Sequence, residues 1–207
     1  KTVAIKTSGH EKDHFTCVLA CCADGTKLPP MLIFKRKTMP KEKLPHGIFV
    51  HVQEKGWMNQ TGMDLWFKSI WNKRHGALLK KPAMLVLDSF RGHLTEDVKK
   101  MAAKSQTHLE VIPGGLTSQL QPLDVSINKP FKGLMREEWA KWMQRADSNL
   151  TPSGRVRKPT IPEVCQWVLT AWEGVKNEVI VKSFKKCGIS NNLDGSEDEA
   201  IYEESDD

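Results

Sequence analysis

The chain has 207 residues with 31 Lys+Arg and 25 Asp+Glu, a formal net charge of +6. Eight of the acidic residues, and no basic one, lie from Asp194 onward, so residues 1–193 carry +14 (31 basic against 17 acidic) and the tail carries −8. A basic body of this size points to a polyanionic partner, most often nucleic acid, or to a generic basic surface. At 39% hydrophobic and 27% charged the composition is that of a folded soluble domain with a real core. The longest apolar runs, Cys17–Ala23 and Met31–Phe34, fall far short of the ~20 residues that cross a bilayer, and no signal peptide is evident. The chain opens on Lys1 in a segment that already reads as strand, which predicts an N-terminally truncated fragment.

In chain order, Thr2–Ile5 and Phe15–Cys22 predict strands, and Asp24-Gly25 is a hairpin turn leading to a returning strand at Met31–Phe34. The front of the chain is thus expected to be an antiparallel meander. Lys35–Pro45 is a basic, proline-containing loop. Asn59–His75 predicts a helix with Met63, Trp66, Phe67, Ile70 and Trp71 on one apolar stripe. Ala83–Leu87 is a short continuous apolar run, the pattern of a strand buried on both faces, and it ends in Asp88.

Thr95 is the expected N-cap of a helix reaching Lys104, with Glu96 and Asp97 in its first turn. A strand at Leu109–Ile112 runs into the Pro113-Gly114-Gly115 loop. The next helix is expected over Asp124–Arg145, with Pro130 imposing a kink or a later start. A second basic loop, Asn149–Pro159, precedes Thr160-Ile-Pro-Glu163, a capping box. The helix that follows buries Val164, Trp167, Val168, Ala171, Trp172 and Val175, and a last helix closes near Cys187-Gly188. Residues 191–207 lack a core-forming pattern and are expected to be disordered, leaving one domain over 1–190. Five cysteines with no Cys-x-x-Cys pair read as reduced, mostly buried thiols of an intracellular protein rather than as a zinc site.

Two carboxylates stand out by position. Asp88 follows a buried strand, where binding crevices form in α/β sheets. Asp124 stands 36 positions later at a loop-to-helix junction. Paired carboxylates of this kind hold the Mg²⁺ ions of phosphoryl transfer. The plain alternative is that one ends a strand and the other caps a helix.

Leu85-Val86-Leu87-Asp88-Ser89-Phe90-Arg91-Gly92-His93 resembles the second catalytic motif of pogo/Tigger/jerky-type DDE transposases. Leu109–Pro113 and Thr117-Ser118-Gln119-Leu120-Gln121-Pro122-Leu123-Asp124 resemble the third, and Gln-Pro-Leu-Asp is the most specific element. The resemblance covers nearly all of residues 1–190 and looks closest to host-domesticated, pogo-derived proteins. It implies an RNase H-like α/β fold, a mixed sheet flanked by helices, and a nuclear, DNA-directed role.

By the same resemblance Asp88 and Asp124 match the second and third acidic ligands of Mg²⁺ or Mn²⁺, and His93 matches a histidine often found beside them. Two departures matter. Ser89 stands where the family usually has Asn. The family's first Asp lies on the first strand of the fold, upstream of Lys1, and no residue from Lys1 to Thr26 fits it. The implied function is therefore a DNA-binding, transposase-derived domain, ancestrally a Mg-dependent phosphodiester cleavage and strand-transfer enzyme and inactive in this chain. The alternative is a non-catalytic chromatin or transcription-factor interaction module of the same fold.

The expected phosphate contacts are Lys35, Arg36 and Lys37 in the first basic loop, Lys129, Lys132 and Arg136 after Asp124, and Arg155, Arg157 and Lys158 in the second loop. The acidic tail is expected to be a solubilising end, a competitor of DNA, or a dock for a basic chromatin-associated partner.

Overall fold

The computed structural model describes residues 2–3, 14–79, 81–89, 95–145 and 157–202. Four strands form one sheet: β1 (Thr2–Val3), β2 (Phe15–Val18), β3 (Met31–Lys35) and β4 (Phe49–Gln53), in that order. β1, β2 and β3 are antiparallel neighbours, as the meander predicts. The turn at Asp24-Gly25 also forms: Asp24 Oδ1 accepts from the Thr26 N–H at 2.8 Å, and Gly25 takes a φ of +90° that favours glycine.

β4 is a strand the sequence reading did not foresee, and it pairs in parallel with β3. Its Phe49 and Val50 lie half-buried at the sheet edge, so its apolar signal is weak. A second sheet holds β5 (Ala83–Asp88) and β6 (Thr107–Ile112), paired in parallel.

Helices cover both faces of the first sheet. On one face Leu32 and Phe34 meet Ile127, Phe131, Val168 and Trp172 in one core. On the other, Met31 and Ile33 meet Met63, Trp66, Phe67 and Val98, and Ala83, Leu85 and Leu109 of the second sheet pack against that same core. The two sheets thus lie under one helical cover, in a mixed α/β layer. This explains the continuous apolar run Met31–Phe34, buried on both faces. The same expectation fails for β5: only Leu87 is fully buried and Met84 is 48% exposed. β5 has β6 on one edge and no other strand beside it among the described residues, so its side chains lack neighbours on that flank.

The predicted helix over Asn59–His75 is shorter. Asn59 caps α1 (Gln60–Ser69), accepting from the Gly62 N–H at 2.8 Å, and the chain then turns into a 3-10 segment at Trp71–Lys73. The change of path at Ile70 keeps both Ile70 and Trp71 in the core, where the Trp71 indole donates to Thr107 Oγ1 at 2.8 Å. α2 (Glu96–Lys104) is capped by Thr95 as expected. A short α3 (Thr117–Leu120), unforeseen, follows Pro113–Gly115. The expected single helix from Asp124 is instead a π turn, Leu123–Ile127, running into α4 (Asn128–Gln144). Pro130 sits in the first turn of α4, directly after the π turn, so the helix proper starts later than Asp124.

α5 (Ile161–Gly174) opens with the predicted capping box, and α6 (Asn177–Lys186) ends at Cys187-Gly188, with Gly188 at φ +67°. Lys27 Nζ donates to the carbonyls of Trp172, Glu173 and Val175 at 3.1, 2.7 and 2.6 Å, closing the C-terminal end of α5 with a charge of the favourable sign.

Glu163 links this cap to α4: it accepts two bonds from Arg157 at 2.6 and 2.9 Å and one from the Trp142 indole at 3.2 Å. The Arg157 hydrogen bonds are the main cause that holds the Glu163 carboxyl at about 2, against an ordinary 4.5. A depressed folded-state value stabilises the fold above about pH 4.5, and the contribution is lost as pH falls toward 2. Glu163→Gln is therefore less stable than the parent at pH 7, and urea melts of the two converge as pH drops through that window.

All five cysteines are free thiols; burial pushes Cys17, Cys21 and Cys165 up to about 12, so they behave as inert packing groups. Among the described residues no helix is long and apolar enough to cross a membrane. The expected disordered tail is described as far as Tyr202. There a 3-10 turn at Asp198–Ile201 lies against α6, Glu197 accepts from Lys185, and Ile201 approaches Gly188, so part of the acidic segment has local structure.

Candidate functional site

The parallel β5/β6 pair sets the geometry. Asp88 is the last residue of β5 and lies opposite Ile112, the last residue of β6. From Ile112 the chain passes Pro113–Gly115 and α3 and reaches Asp124 in the π turn. Asp88 and Asp124 line one cavity of about 630 Å³ between β2 and β5, together with Gln121, Asn128 and Lys132.

The turn carrying Asp124 is held firmly. Buried Ser183 of α6 donates to the Pro122 carbonyl at 2.7 Å, and Asp124 Oδ1 accepts from Asn128 Nδ2 at 2.7 Å. Gly114 lies close to Ser89, so the loop after β6 flanks the residue that follows Asp88. Gln121 Oε1 is buried with no hydrogen-bond partner among the described residues. The acceptors gathered here are oxygens, the donor class of hard cations such as Mg²⁺ and Mn²⁺ rather than of zinc. Among the described residues no group of three or more His, Cys, Asp or Glu is placed to hold a metal ion.

The basic residues named from sequence fall into three situations. Lys132 lines the same cavity as the two carboxylates, while Lys129 and Arg136, one helical turn to either side on α4, are exposed. Lys35, Arg36 and Lys37 are exposed at the end of β3 and the loop beyond and do not line the cavity; Lys37 reaches Glu54 at 3.7 Å, a weak surface pair.

Arg157 is bound to Glu163 and lies 5.3 Å from the Trp142 ring, so the α5 cap engages it. Lys158 is exposed beside it. His93 and Arg155 lie outside the described residues. Sequence reasoning missed Gln121, Asn128 and Ser183. Asn128 had a legible signal, four positions after Asp124 on a helix, whereas nothing local marks Ser183, 61 positions from its partner.

Residues 12–184 match the family model described as DDE superfamily endonuclease. The chain is 40% identical over 203 residues to a human protein named "Pogo transposable element with KRAB domain", covering 98% of this chain and 33% of that protein. It is 38% identical over 198 residues to the mouse protein of the same name, covering 96% and 33%. A human "Pogo transposable element with ZNF domain" is 34% identical over 139 residues, 67% of this chain and 10% of that protein. The chain thus spans about a third of the first two relatives. No solved structure matches.

Proposed function

This chain belongs to the DDE superfamily endonuclease family, and on that premise we propose that it is a transposase-derived domain that binds DNA along the Asp88/Asp124 edge without cleaving it. The observation that carries this reading is the cavity at the end of β5, which two carboxylates and Lys132 share. The family implies an RNase H-like core, here assigned to residues 1–190, with residues 191–207 as an acidic appendage. Helices on both faces of a mixed strand layer are compatible with that core.

Asp88 and Asp124 would hold a divalent cation, with the unpartnered Gln121 oxygen beside them. Such an ion, Mg²⁺ or Mn²⁺, supplies charge stabilisation to the attacking and leaving oxygens of phosphodiester cleavage. The protein's own contribution is positional. Ser183 and Asn128 fix the Asp124 turn, Asp88 is fixed by its strand, and Lys132 meets the phosphate charge. Among the described residues two carboxylates line the cavity, enough for a weak single-ion site and too few to clamp two ions, and this supports binding without turnover. A nuclear location accompanies a DNA partner.

The test is plasmid nicking in Mn²⁺. This chain is expected to bind DNA and leave it intact. A form that carries a third carboxylate at this edge is expected to nick, and its Asp88→Ala variant is expected to lose that activity. Equal nicking by parent and variant would remove Asp88 from any catalytic role. Deleting residues 194–207, which carry −8, is expected to tighten DNA binding through lost competition. Unchanged affinity would leave the tail free to serve another partner.

A further inference from the structure

We propose that Trp57 is a stacking platform for an unpaired DNA base, so that the preferred ligand is a duplex that runs out into single strand. The inference rests on the DNA-binding reading above and deepens it by naming the form of the DNA. It uses a side chain that the reading itself does not.

The chain has seven tryptophans. Trp66, Trp71, Trp142, Trp167 and Trp172 are buried in the two cores. Trp139 packs on the first core, its ring stacked on Trp142 and edge-on to Trp167. Trp57 is the exception, at 46% exposed. An indole left in water forgoes the burial that the other six obtain, and such rings are enriched where a flat partner lands.

Its exposure is imposed by the fold. Gln53 ends β4, and its Oε1 accepts from the Lys55 and Trp57 N–H groups at 2.5 and 3.4 Å. The Gly56 carbonyl accepts from the buried Thr16 hydroxyl at 2.7 Å, and Gly56 takes a φ of +71° with the Lys35 backbone packed against it. Met58, on the other side, is buried in the second core. Trp57 is thus bracketed by two anchored residues, and little ordering remains to be done when a base arrives. The His14 ring is its aromatic neighbour, 6.0 Å away between centroids and tilted by 44°, so it does not stack on the indole.

The surroundings supply charge. The Arg36 N–H donates to the Gln53 carbonyl at 3.2 Å, which holds the Lys35–Lys37 run against the turn that carries Trp57. Lys35, Arg36, Lys37 and Lys55 are all exposed. Glu54 is the acidic residue of this turn, and it lies 3.7 Å from Lys37. An exposed ring among cations is the arrangement that takes single strands: the cations meet the phosphates, and the ring takes a base.

A closed duplex is a poor ligand for such a ring, because each of its bases is already stacked on both faces and unstacking costs a few kcal/mol. An unpaired base lacks that cost. Every base has a π face, so the platform reads strandedness and not sequence. Trp57 also lines the cavity that Asp88 and Asp124 share, which places the single strand beside the edge assigned to the duplex.

Fluorescence anisotropy at low salt tests this with two labelled probes, a blunt duplex and the same duplex with a short unpaired thymine extension. The parent is expected to bind the extended probe about tenfold more tightly. Trp57→Ala is expected to erase that preference and to leave affinity for the blunt probe within about twofold, while Trp57→Phe keeps most of the preference. Trp57 is exposed, so both variants should match the parent in urea melts. Equal affinity of the parent for the two probes would overturn the proposal, as would a preference that Trp57→Ala leaves intact. Reversing Lys129, Lys132 and Arg136 to Glu separates this result from the reading beneath it, since the reversal is expected to weaken both probes alike. If it weakens neither while Trp57→Ala still erases the preference, the platform stands and the placement of the duplex fails.

Discussion

Reversing the charges of Lys129, Lys132 and Arg136 to Glu is expected to lower DNA affinity at least about a hundredfold at low salt and to cut the salt slope by about three. The three residues recur at helical spacing along one side of α4, and the middle one lines the cavity that holds Asp88 and Asp124. A duplex laid along this edge places its phosphates against that row. Each neutralised phosphate releases counterion and contributes about 0.9 to the slope of log affinity against log salt. With Lys35, Arg36 and Lys37 engaged as well, the parent slope is expected near −5, or about a thousandfold loss between 50 and 200 mM salt. The same reversal at Lys99, Lys100 and Lys104, on the exposed side of α2, is the control and should leave the slope near its parent value. Equal losses from the two triple variants would mean that binding follows net charge and not this edge.

Trp172→Ala is expected to cost about 3–5 kcal/mol, a large part of the whole stability of a domain of this size. The side chain is buried between the first sheet and α4, edge-on to Phe131 with ring centroids 6.1 Å apart. Its indole N–H donates to the Leu28 carbonyl at 2.9 Å, tying α5 to the loop that leads into β3. Removal opens a large cavity and leaves that buried carbonyl without its donor. Trp172→Phe keeps most of the volume and should cost distinctly less. Urea denaturation followed by far-UV circular dichroism separates the two. A loss below about 1 kcal/mol for the alanine variant would show that this core is not what holds α5 to the sheet.

Much of this arrangement is written locally. The capping box at Thr160/Glu163, the Thr95 cap, the Asp24-Gly25 turn and the apolar stripes of α1 and α5 all form, because each depends on neighbours within one or two turns. What misled is non-local. Ala83–Leu87 has the composition of a central strand, but its burial depends on what lies beside it, and among the described residues no strand occupies that flank. The parallel pairing of β4 with β3 spans a connection whose outcome no periodicity records. The break of α1 at Ile70 follows from a tertiary anchor, Trp71 on Thr107.

At the site, strand ends and motif spacing singled out Asp88 and Asp124, which line one cavity. The engagement of Arg157 by Glu163 was not, because a basic residue in a loop looks the same whether it faces phosphate or a helix cap.

Site-specific photocrosslinking measures most directly whether DNA lies along the Asp88/Asp124 edge. A crosslinker is placed singly at Ser89, next to Asp88, or at Lys104 on α2, and each protein is mixed with labelled duplex at low salt. Efficient crosslinking from Ser89 and little from Lys104 is the predicted result. Equal yields from the two positions, or a higher yield from Lys104, would contradict it.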